Sequence, residues 1–150
     1  RSSRLMKGFA ENFITPEEAG VLRAILGAED NHQVALKDID EDSTAWFVIQ
    51  RLADHLPDFK IHDESYMRIE VTRKSGHHWH VDTGTNNDMP WCKYGCSIML
   101  SKDYEYVGAL FRYRDVDIQP EYCGLLWHDS SEKHMVERYQ GVRAVLLIFI

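Results

Sequence analysis

The spacing of apolar residues divides the chain into two parts. Before about residue 60 the apolar positions recur every three or four residues, which is the period of an amphipathic helix. From Tyr66 onward apolar and β-branched residues fall in short alternating runs separated by turn residues, which is the pattern of strands. The sequence therefore predicts a helical part over about 1–60 and a β part over about 65–150.

Two helices are predicted in the first part. The first begins after Thr15, where a capping Thr, Pro16 and a Glu three residues after the cap form a start signal. Its apolar positions and a Gly suited to a helix end are Ala19, Leu22, Ile25, Leu26 and Gly27. The second helix is predicted from Ser43 to Leu56, with an apolar face formed by Trp46, Ile49, Leu52, Ala53 and Leu56. We expect both helices to pack on the outside of a sheet.

Strands dominate the second part of the chain. They are predicted near 65–73, 77–83, 94–101, 107–114, 123–128, 134–138 and 142–150, with turns at Ser75-Gly76, Gly84 to Pro90 and Gln119-Pro120. Two helices followed by seven or eight short strands indicate a mainly β fold. An antiparallel sandwich or a jelly-roll barrel, buttressed by the two N-terminal helices, fits this order.

Composition restricts the class of protein further. With 150 residues, 44% hydrophobic and 27% charged, the chain has the size and balance of one folded domain spanning 1–150. A net charge of -7 argues against duplex DNA as a partner. The longest apolar run, Ala144 to Ile150, is too short to cross a membrane. Three cysteines without a secretory signal predict reduced thiols and a cytoplasmic protein.

A candidate metal site lies in the strand region. His80 and Asp82 stand two residues apart on a predicted strand, so their side chains leave the same face. Such a pair arises readily by chance among eight His and 13 Asp, but His134, in a strand-like segment near the C-terminus, is a candidate for a third ligand. Two His and one carboxylate leave open positions on an octahedral ion, which is the arrangement of non-haem iron(II) oxygenases.

A cation is predicted beside this site. Arg143 lies nine residues beyond His134, at the start of the last strand, and would point inward from the same wall of a small barrel. A buried guanidinium needs an anion, and a dicarboxylate binds it in bidentate geometry. A zinc site at Cys92 and Cys96 is disfavoured because no second pair of ligands has matching spacing.

Other histidines are interpreted without a metal role. His77 and His78 are expected to be exposed on an edge strand. His128, which is followed by Asp129, is interpreted as a loop residue, with a position behind the metal ligands as the alternative.

Ordered motifs over about Tyr66 to Ile150 resemble the prolyl-hydroxylase-like branch of the 2-oxoglutarate/Fe(II) dioxygenases, which are built on a double-stranded β-helix. The matching parts are His80-Val81-Asp82, Ser97-Ile98-Met99-Leu100, Gly108-Ala109-Leu110-Phe111, Pro120 to Leu126, His134-Met135-Val136 and Gly141-Val142-Arg143. The resemblance implies that the triad holds iron(II) and that Arg143 binds the distal carboxylate of 2-oxoglutarate. Tyr66 and Tyr94 are candidates for a further co-substrate contact, because the stretch from Gly76 to His80 is shorter than usual.

The resemblance also implies a reaction. O₂ would oxidise 2-oxoglutarate to succinate and CO₂ while an unactivated C–H bond is hydroxylated, in a peptidyl proline, another protein side chain or a small molecule. The alternative from a different class is a cupin-like metal-binding or structural module without turnover. Arg143 discriminates between them, because a structural metal site has no need of an inward cation.

The segment from Gly84 to Trp91 directly follows the proposed ligands and is rich in turn-forming residues. We expect it to be a mobile lid at the open end of the barrel, with Trp91 as its apolar surface. An ordinary flexible connection is the alternative.

Overall fold

A computed structural model describes residues 6–25, 32–71, 73–84, 86 and 88–150. Two α-helices, α1 (Pro16–Ile25) and α2 (Thr44–Arg51), lie among short strands. The strands are β1 (Lys7–Ala10), β2 (Gln33–Ala35), β3 (Tyr66–Glu70), β4 (His77–His80), β5 (Tyr94–Met99), β6 (Tyr106–Gly108), β7 (Phe111–Tyr113), β8 (Asp117–Ile118), β9 (Leu125–Asp129), β10 (His134–Val136), β11 (Tyr139–Gly141) and β12 (Val145–Phe149). None of the helices in these ranges is long and apolar enough to span a bilayer.

The strands form antiparallel sheets. A six-stranded sheet has the order β1-β9-β5-β12-β3-β2, a four-stranded sheet has the order β4-β10-β7-β8, and β11 pairs with β6. Met99, Leu126 and Val145 of the large sheet share a buried cluster with Phe111 and Val136 of the small sheet, so the two sheets pack against each other. The prediction of a mainly β, antiparallel fold with two helices is therefore confirmed.

Local hydrogen bonds explain where α1 begins. The backbone N–H of Glu18 donates to Thr15 Oγ1 at 3.1 Å, and the N–H of Thr15 donates to Glu18 Oε1 at 2.9 Å. This reciprocal pair is the capping box that the sequence predicts. The predicted helix end at Leu26 and Gly27 lies outside the described residues.

Helix α2 begins as predicted but ends earlier. The Ser43 hydroxyl accepts a hydrogen bond from the Trp46 N–H at 3.2 Å, and the helix gives way after Arg51 to a 3₁₀ turn over Leu52–Asp54. The buried residues keep a spacing of three or four residues through this turn, so the buried face is offset from the predicted face by about one residue. Ala53 is exposed and Trp46 is only half-buried, so the predicted face is wrong at both positions. The buried residues of this region are Ala45, Val48, Ile49, Leu52 and Leu56.

Two further predictions need correction. The N-terminal part contains strands as well as helices, because β1 and β2 extend the two edges of the large sheet. The single strand predicted at 107–114 is broken, because Gly108 (φ 102°) and Ala109 (φ 59°) take left-handed backbone conformations that direct β6 and β7 into different sheets. The turn at Ser75-Gly76 is present, with Gly76 at φ 75°.

Candidate metal centre

The three predicted ligands meet between neighbouring strands of the small sheet. His134 on β10 is paired directly with His80 on β4, and their ring centroids are 4.3 Å apart. Asp82 follows β4 and is held by a backbone hydrogen bond from its N–H to the Ser130 carbonyl at 3.0 Å. One ligand atom from each of the three residues lies within 4.8 Å of the other two. The structure therefore brings together two imidazoles and a carboxylate at the spacing of a metal site.

Backbone carbonyls orient both ligand rings. Nδ1–H of His80 donates to the His78 carbonyl at 2.6 Å, and Nδ1–H of His134 donates to the Glu132 carbonyl at 2.8 Å. Each Nε2 is thus left as a lone-pair donor, as metal-binding histidines require. Nε2 of His134 lies 3.3 Å from Asp82 Oδ1, so these atoms face the same point.

A β-bulge sets the direction of the side chains on β4. His134 pairs with His80 and Val136 pairs with His77, so three steps on β4 lie opposite two steps on β10. The extra residue turns His77 and His80 toward the same side, because a bulge locally interrupts the alternation of a strand. His77 Nε2 contacts Glu70 Oε1 at 2.7 Å. The expectation that His77 is exposed was wrong, whereas His78 is exposed.

The protonation states of the ligands suit a cation. Burial alone would raise the pKa of Asp82, but the hydrogen bond from His128 and the neighbouring His134 ring outweigh burial and hold that pKa well below its usual range. Burial also lowers the pKa of His80, which keeps its ring neutral. An ionised carboxylate and neutral imidazoles are the forms that bind metal ions.

His128 is a part of the site that the sequence interpretation placed in a loop. It lies in β9, is 3% exposed, and its Nε2 is 2.6 Å from Asp82 Oδ2, while Nδ1 is 2.8 Å from the Tyr113 hydroxyl. The available signal was the two-residue period, because Leu126 and His128 share the inward face of β9. The contact with Asp82 joins distant parts of the chain and has no local signature.

Gly95 on β5 is a second residue that the sequence interpretation missed. A Cβ atom at this position would overlap the Asp82 carboxylate and would lie 2.9 Å from His128 Nε2. The absence of a side chain on this strand makes room for the carboxylate and for its hydrogen bond to His128. Gly95 therefore shapes the site without contributing a polar group.

Arg143 lines the same cavity as the triad. Its side chain is 3% exposed, stands over the Tyr139 ring with a 5.6 Å separation, and lines the cavity together with His80, Asp82 and His134. Nη1 is 3.6 Å from Glu70 Oε1, and Nε is buried without a hydrogen-bond partner among the described residues. An unsatisfied guanidinium N–H in a buried site fits an incoming anion.

The charges around Arg143 also fit an anion. Burial would raise the pKa of Glu70, but the hydrogen bond from His77 and the charges of Arg68 and Arg143 lower that pKa to about 2. Glu70 thus faces two guanidinium groups, and its single charge neutralises only one of them. The cavity volume is about 60 Å³, which is room for about four to six water-sized groups. The Arg143 guanidinium therefore suits a carboxylate group.

The structure does not bring the two predicted tyrosines to this cavity. Tyr94 is buried in the other core cluster, where it packs edge-on against Trp127 with ring centroids 5.6 Å apart. Tyr66 lies behind Phe149, with ring centroids 5.1 Å apart, and its hydroxyl is directed at Met89 Sδ at 3.7 Å. Phe149 lines the cavity and neither tyrosine does.

The segment predicted to be a lid is only partly described. Thr85 and Asn87 lie outside the described residues. Trp91 stacks on His62 with a centroid distance of 5.7 Å and meets Tyr66 edge-on. Trp91 therefore anchors one end of the segment, and the mobility of the lid stays a prediction.

Comparison with known proteins gives structural matches alone. No family model matches the sequence, and no curated protein matches it. The prolyl-4-hydroxylase of Pseudomonas putida is similar over 96% of this chain and 83% of its own, with 15% identity and a TM-score of 0.70. The viral collagen prolyl hydroxylase of Paramecium bursaria Chlorella virus-1, solved with 2OG, is similar over 95% and 93%, with 11% identity and a TM-score of 0.64.

A third similar structure is a prolyl hydroxylase from Trichoplax adhaerens in complex with a peptide fragment of hypoxia inducible factor. It matches over 95% of this chain and 82% of its own, with 16% identity and a TM-score of 0.61. The chain therefore has the fold of these prolyl hydroxylases, as the resemblance in its motifs implied.

Proposed function

We propose that this chain is an oxygenase of the double-stranded β-helix type that uses iron(II), 2-oxoglutarate and O₂ to hydroxylate an unactivated C–H bond, with release of succinate and CO₂. One observation carries the proposal. The cavity that gathers His80, Asp82 and His134 also contains the buried Arg143, whose Nε has no hydrogen-bond partner among the described residues. A cupin-like structural metal module would have no use for this incompletely satisfied cation.

The triad and Arg143 would have different tasks in this cavity. His80, Asp82 and His134 would hold iron(II), which when bound would supply the oxidation chemistry with O₂. Arg143 would bind the distal carboxylate of 2-oxoglutarate and so orient the rest of the molecule toward the triad. The large apolar side chains of the lining are Phe111, Val136, Leu147 and Phe149, and they would exclude water from the reacting groups.

A peptide is the first substrate class to test. The similar Trichoplax adhaerens enzyme was solved with a peptide, and a cleft of about 680 Å³ in this chain is lined by Trp79 and Lys133, which adjoin His80 and His134 in the sequence. Trp79, which is 43% exposed and adjoins His80, lines the cleft together with Tyr113. Its indole offers an apolar surface on which a prolyl ring or another apolar side chain would pack. A small-molecule substrate is the alternative outcome.

The test measures co-substrate use and product separately. Iron-loaded protein is assayed for O₂-dependent conversion of 2-oxoglutarate to succinate, then incubated with proline-containing peptides and with a metabolite extract. Mass spectrometry for the gain of one oxygen atom identifies which class is hydroxylated. Arg143→Ala is compared with Arg138→Ala, because Arg138 is an exposed arginine of the same region. Iron binding without 2-oxoglutarate binding or succinate formation would favour the cupin-like module.

A further inference from the structure

A buried chain of hydrogen bonds stands behind Asp82. The Tyr113 hydroxyl is 2.8 Å from His128 Nδ1, and His128 Nε2 is 2.6 Å from Asp82 Oδ2. Tyr113 and His128 are only 2% and 3% exposed. Tyr113 belongs to β7 of the small sheet and His128 to β9 of the large sheet, so the chain of bonds crosses the space between the sheets.

The direction of these bonds follows from the chemistry of the groups. The Asp82 carboxylate only accepts, so the proton of the neutral His128 ring lies on Nε2. Nδ1 then carries a lone pair, and the Tyr113 hydroxyl donates to it. In this tautomer Nε2 of His128 has no lone pair to offer a metal ion, although the His128 and His134 ring centroids are only 4.2 Å apart.

The two oxygens of Asp82 have separate partners. Oδ2 receives the bond from His128, whereas Oδ1 faces Nε2 of His134 at 3.3 Å. Oδ1 is therefore the oxygen that shares a position with the ligand nitrogens. A donor on Oδ2 limits rotation of the carboxylate and keeps Oδ1 at that position.

We propose that His128 and Tyr113 are positioning residues of the metal centre. His128 holds the Asp82 carboxylate in its ligating orientation. Tyr113 fixes the His128 tautomer and so prevents His128 from becoming a fourth protein ligand, which leaves coordination positions open for the co-substrate and O₂. The inference rests on the proposed function only in requiring that Asp82 binds a metal ion.

The experiment compares variants that differ in hydrogen bonding more than in size. His128→Gln keeps an N–H donor that reaches Asp82, whereas His128→Leu fills similar space without a donor. Binding of Mn²⁺ and Co²⁺ is measured by calorimetry without O₂ or substrate, and folding is checked by circular dichroism. We expect His128→Leu to weaken binding by about 10- to 100-fold, the usual effect of losing a partner of a metal ligand. His128→Gln is expected to stay within about threefold of wild type, because the donor is retained.

Tyr113→Phe tests the tautomer. Without the hydroxyl donor, His128 is free to turn an Nε2 lone pair toward the metal, so the absorption spectrum of bound Co²⁺ changes with the added nitrogen ligand. The double variant with His128→Gln removes that nitrogen and restores the wild-type spectrum. A role in packing alone predicts no spectral change and no such restoration.

The outcomes separate the two proposals. If wild type binds no metal, or Asp82→Ala binds it as tightly as wild type, the metal centre itself is wrong. If Asp82→Ala loses the metal while a folded His128→Leu binds like wild type, only the positioning role is overturned. Equal loss in His128→Gln and His128→Leu, or an unchanged Co²⁺ spectrum in Tyr113→Phe, also overturns it. If His128→Leu does not fold, the Co²⁺ spectra of Tyr113→Phe and of the double variant still test the positioning role.

Discussion

Replacing Glu70 by Gln should destabilise the protein and strengthen its binding of 2-oxoglutarate at the same time. Glu70 is buried between Arg68, His77 and Arg143, with contacts at 3.2, 2.7 and 3.6 Å. Gln keeps the shape of the side chain and removes the charge. The guanidinium groups then lose their internal counter-ion, which costs stability but leaves Arg143 with no competing carboxylate.

The magnitude follows from the pKa of Glu70. Its value falls from an ordinary 4.5 to about 2, and each whole step of pKa is worth about 1.4 kcal/mol. The ionised form is therefore stabilised by roughly 3 kcal/mol on folding. Because the pKa is lower in the folded state, this contribution is present above about pH 4.5 and disappears as the pH falls through about 2. The stability difference between wild type and Glu70→Gln should shrink over that window.

Thermal unfolding and calorimetry measure the two effects. For a chain of this size, roughly 3 kcal/mol lowers Tm by about 6–12 °C near neutral pH. The dissociation constant of 2-oxoglutarate with Mn²⁺-loaded protein should fall about tenfold, the worth of a charge-assisted hydrogen bond of about 1.5 kcal/mol.

The control is Glu137→Gln, whose side chain is 44% exposed and paired with Arg112 at 3.5 Å; it should change stability by less than about 0.5 kcal/mol. An unchanged Tm together with weaker 2-oxoglutarate binding in Glu70→Gln would refute the reasoning, because Glu70 would then be a partner of the co-substrate and not its competitor.

Three further variants test the site. His134→Ala should lose iron(II) binding at micromolar metal in calorimetry, because only two protein ligands remain. The control His78→Ala, whose side chain is exposed, should retain iron(II). Stoichiometric iron in His134→Ala would disprove the triad. Arg143→Ala should keep the metal but lose about 1.5–3 kcal/mol of 2-oxoglutarate affinity, and an unchanged dissociation constant would place the anchor elsewhere. Gly95→Ala should displace the Asp82 carboxylate, which lowers the free energy of unfolding by about 1–3 kcal/mol and weakens Mn²⁺ binding. An Mn²⁺ affinity equal to that of wild type would show that β5 shifts to accommodate the methyl group.

Features with a local cause were predicted from the sequence. The start of α1 depends on Thr15 and Glu18, which bond to each other three residues apart, and the turn before β4 depends on a left-handed Gly76. The class of fold followed from the change of hydrophobic period at Tyr66. His80 and Asp82 were recognised because their two-residue spacing and their position before His134 can be read directly from the sequence.

Features that depend on contacts between distant strands were decided by the tertiary structure. Whether His77 faces inward depends on a bulge in the pairing of β4 with β10, and the role of His128 depends on its reaching Asp82 across the two sheets. The requirement for Gly95 exists only because the Asp82 carboxylate occupies the space beside it. Side-chain period identifies a face, but it does not say what stands opposite that face.

Tyr66 and Tyr94 also show that residue type and spacing do not establish which side chains reach the cavity. Both were proposed from residue type and approximate spacing, and neither ring lines the cavity, because Tyr66 packs against Phe149 and Tyr94 packs against Trp127. The mainly β fold was predicted from the two-residue period of its strands, and His80, Asp82, His134 and Arg143 were predicted as site residues from the order of motifs along the chain. The neighbours that adjust these groups, Glu70, Gly95, Tyr113 and His128, were decided only when the sheets packed, because their effects act through space between residues far apart in the chain.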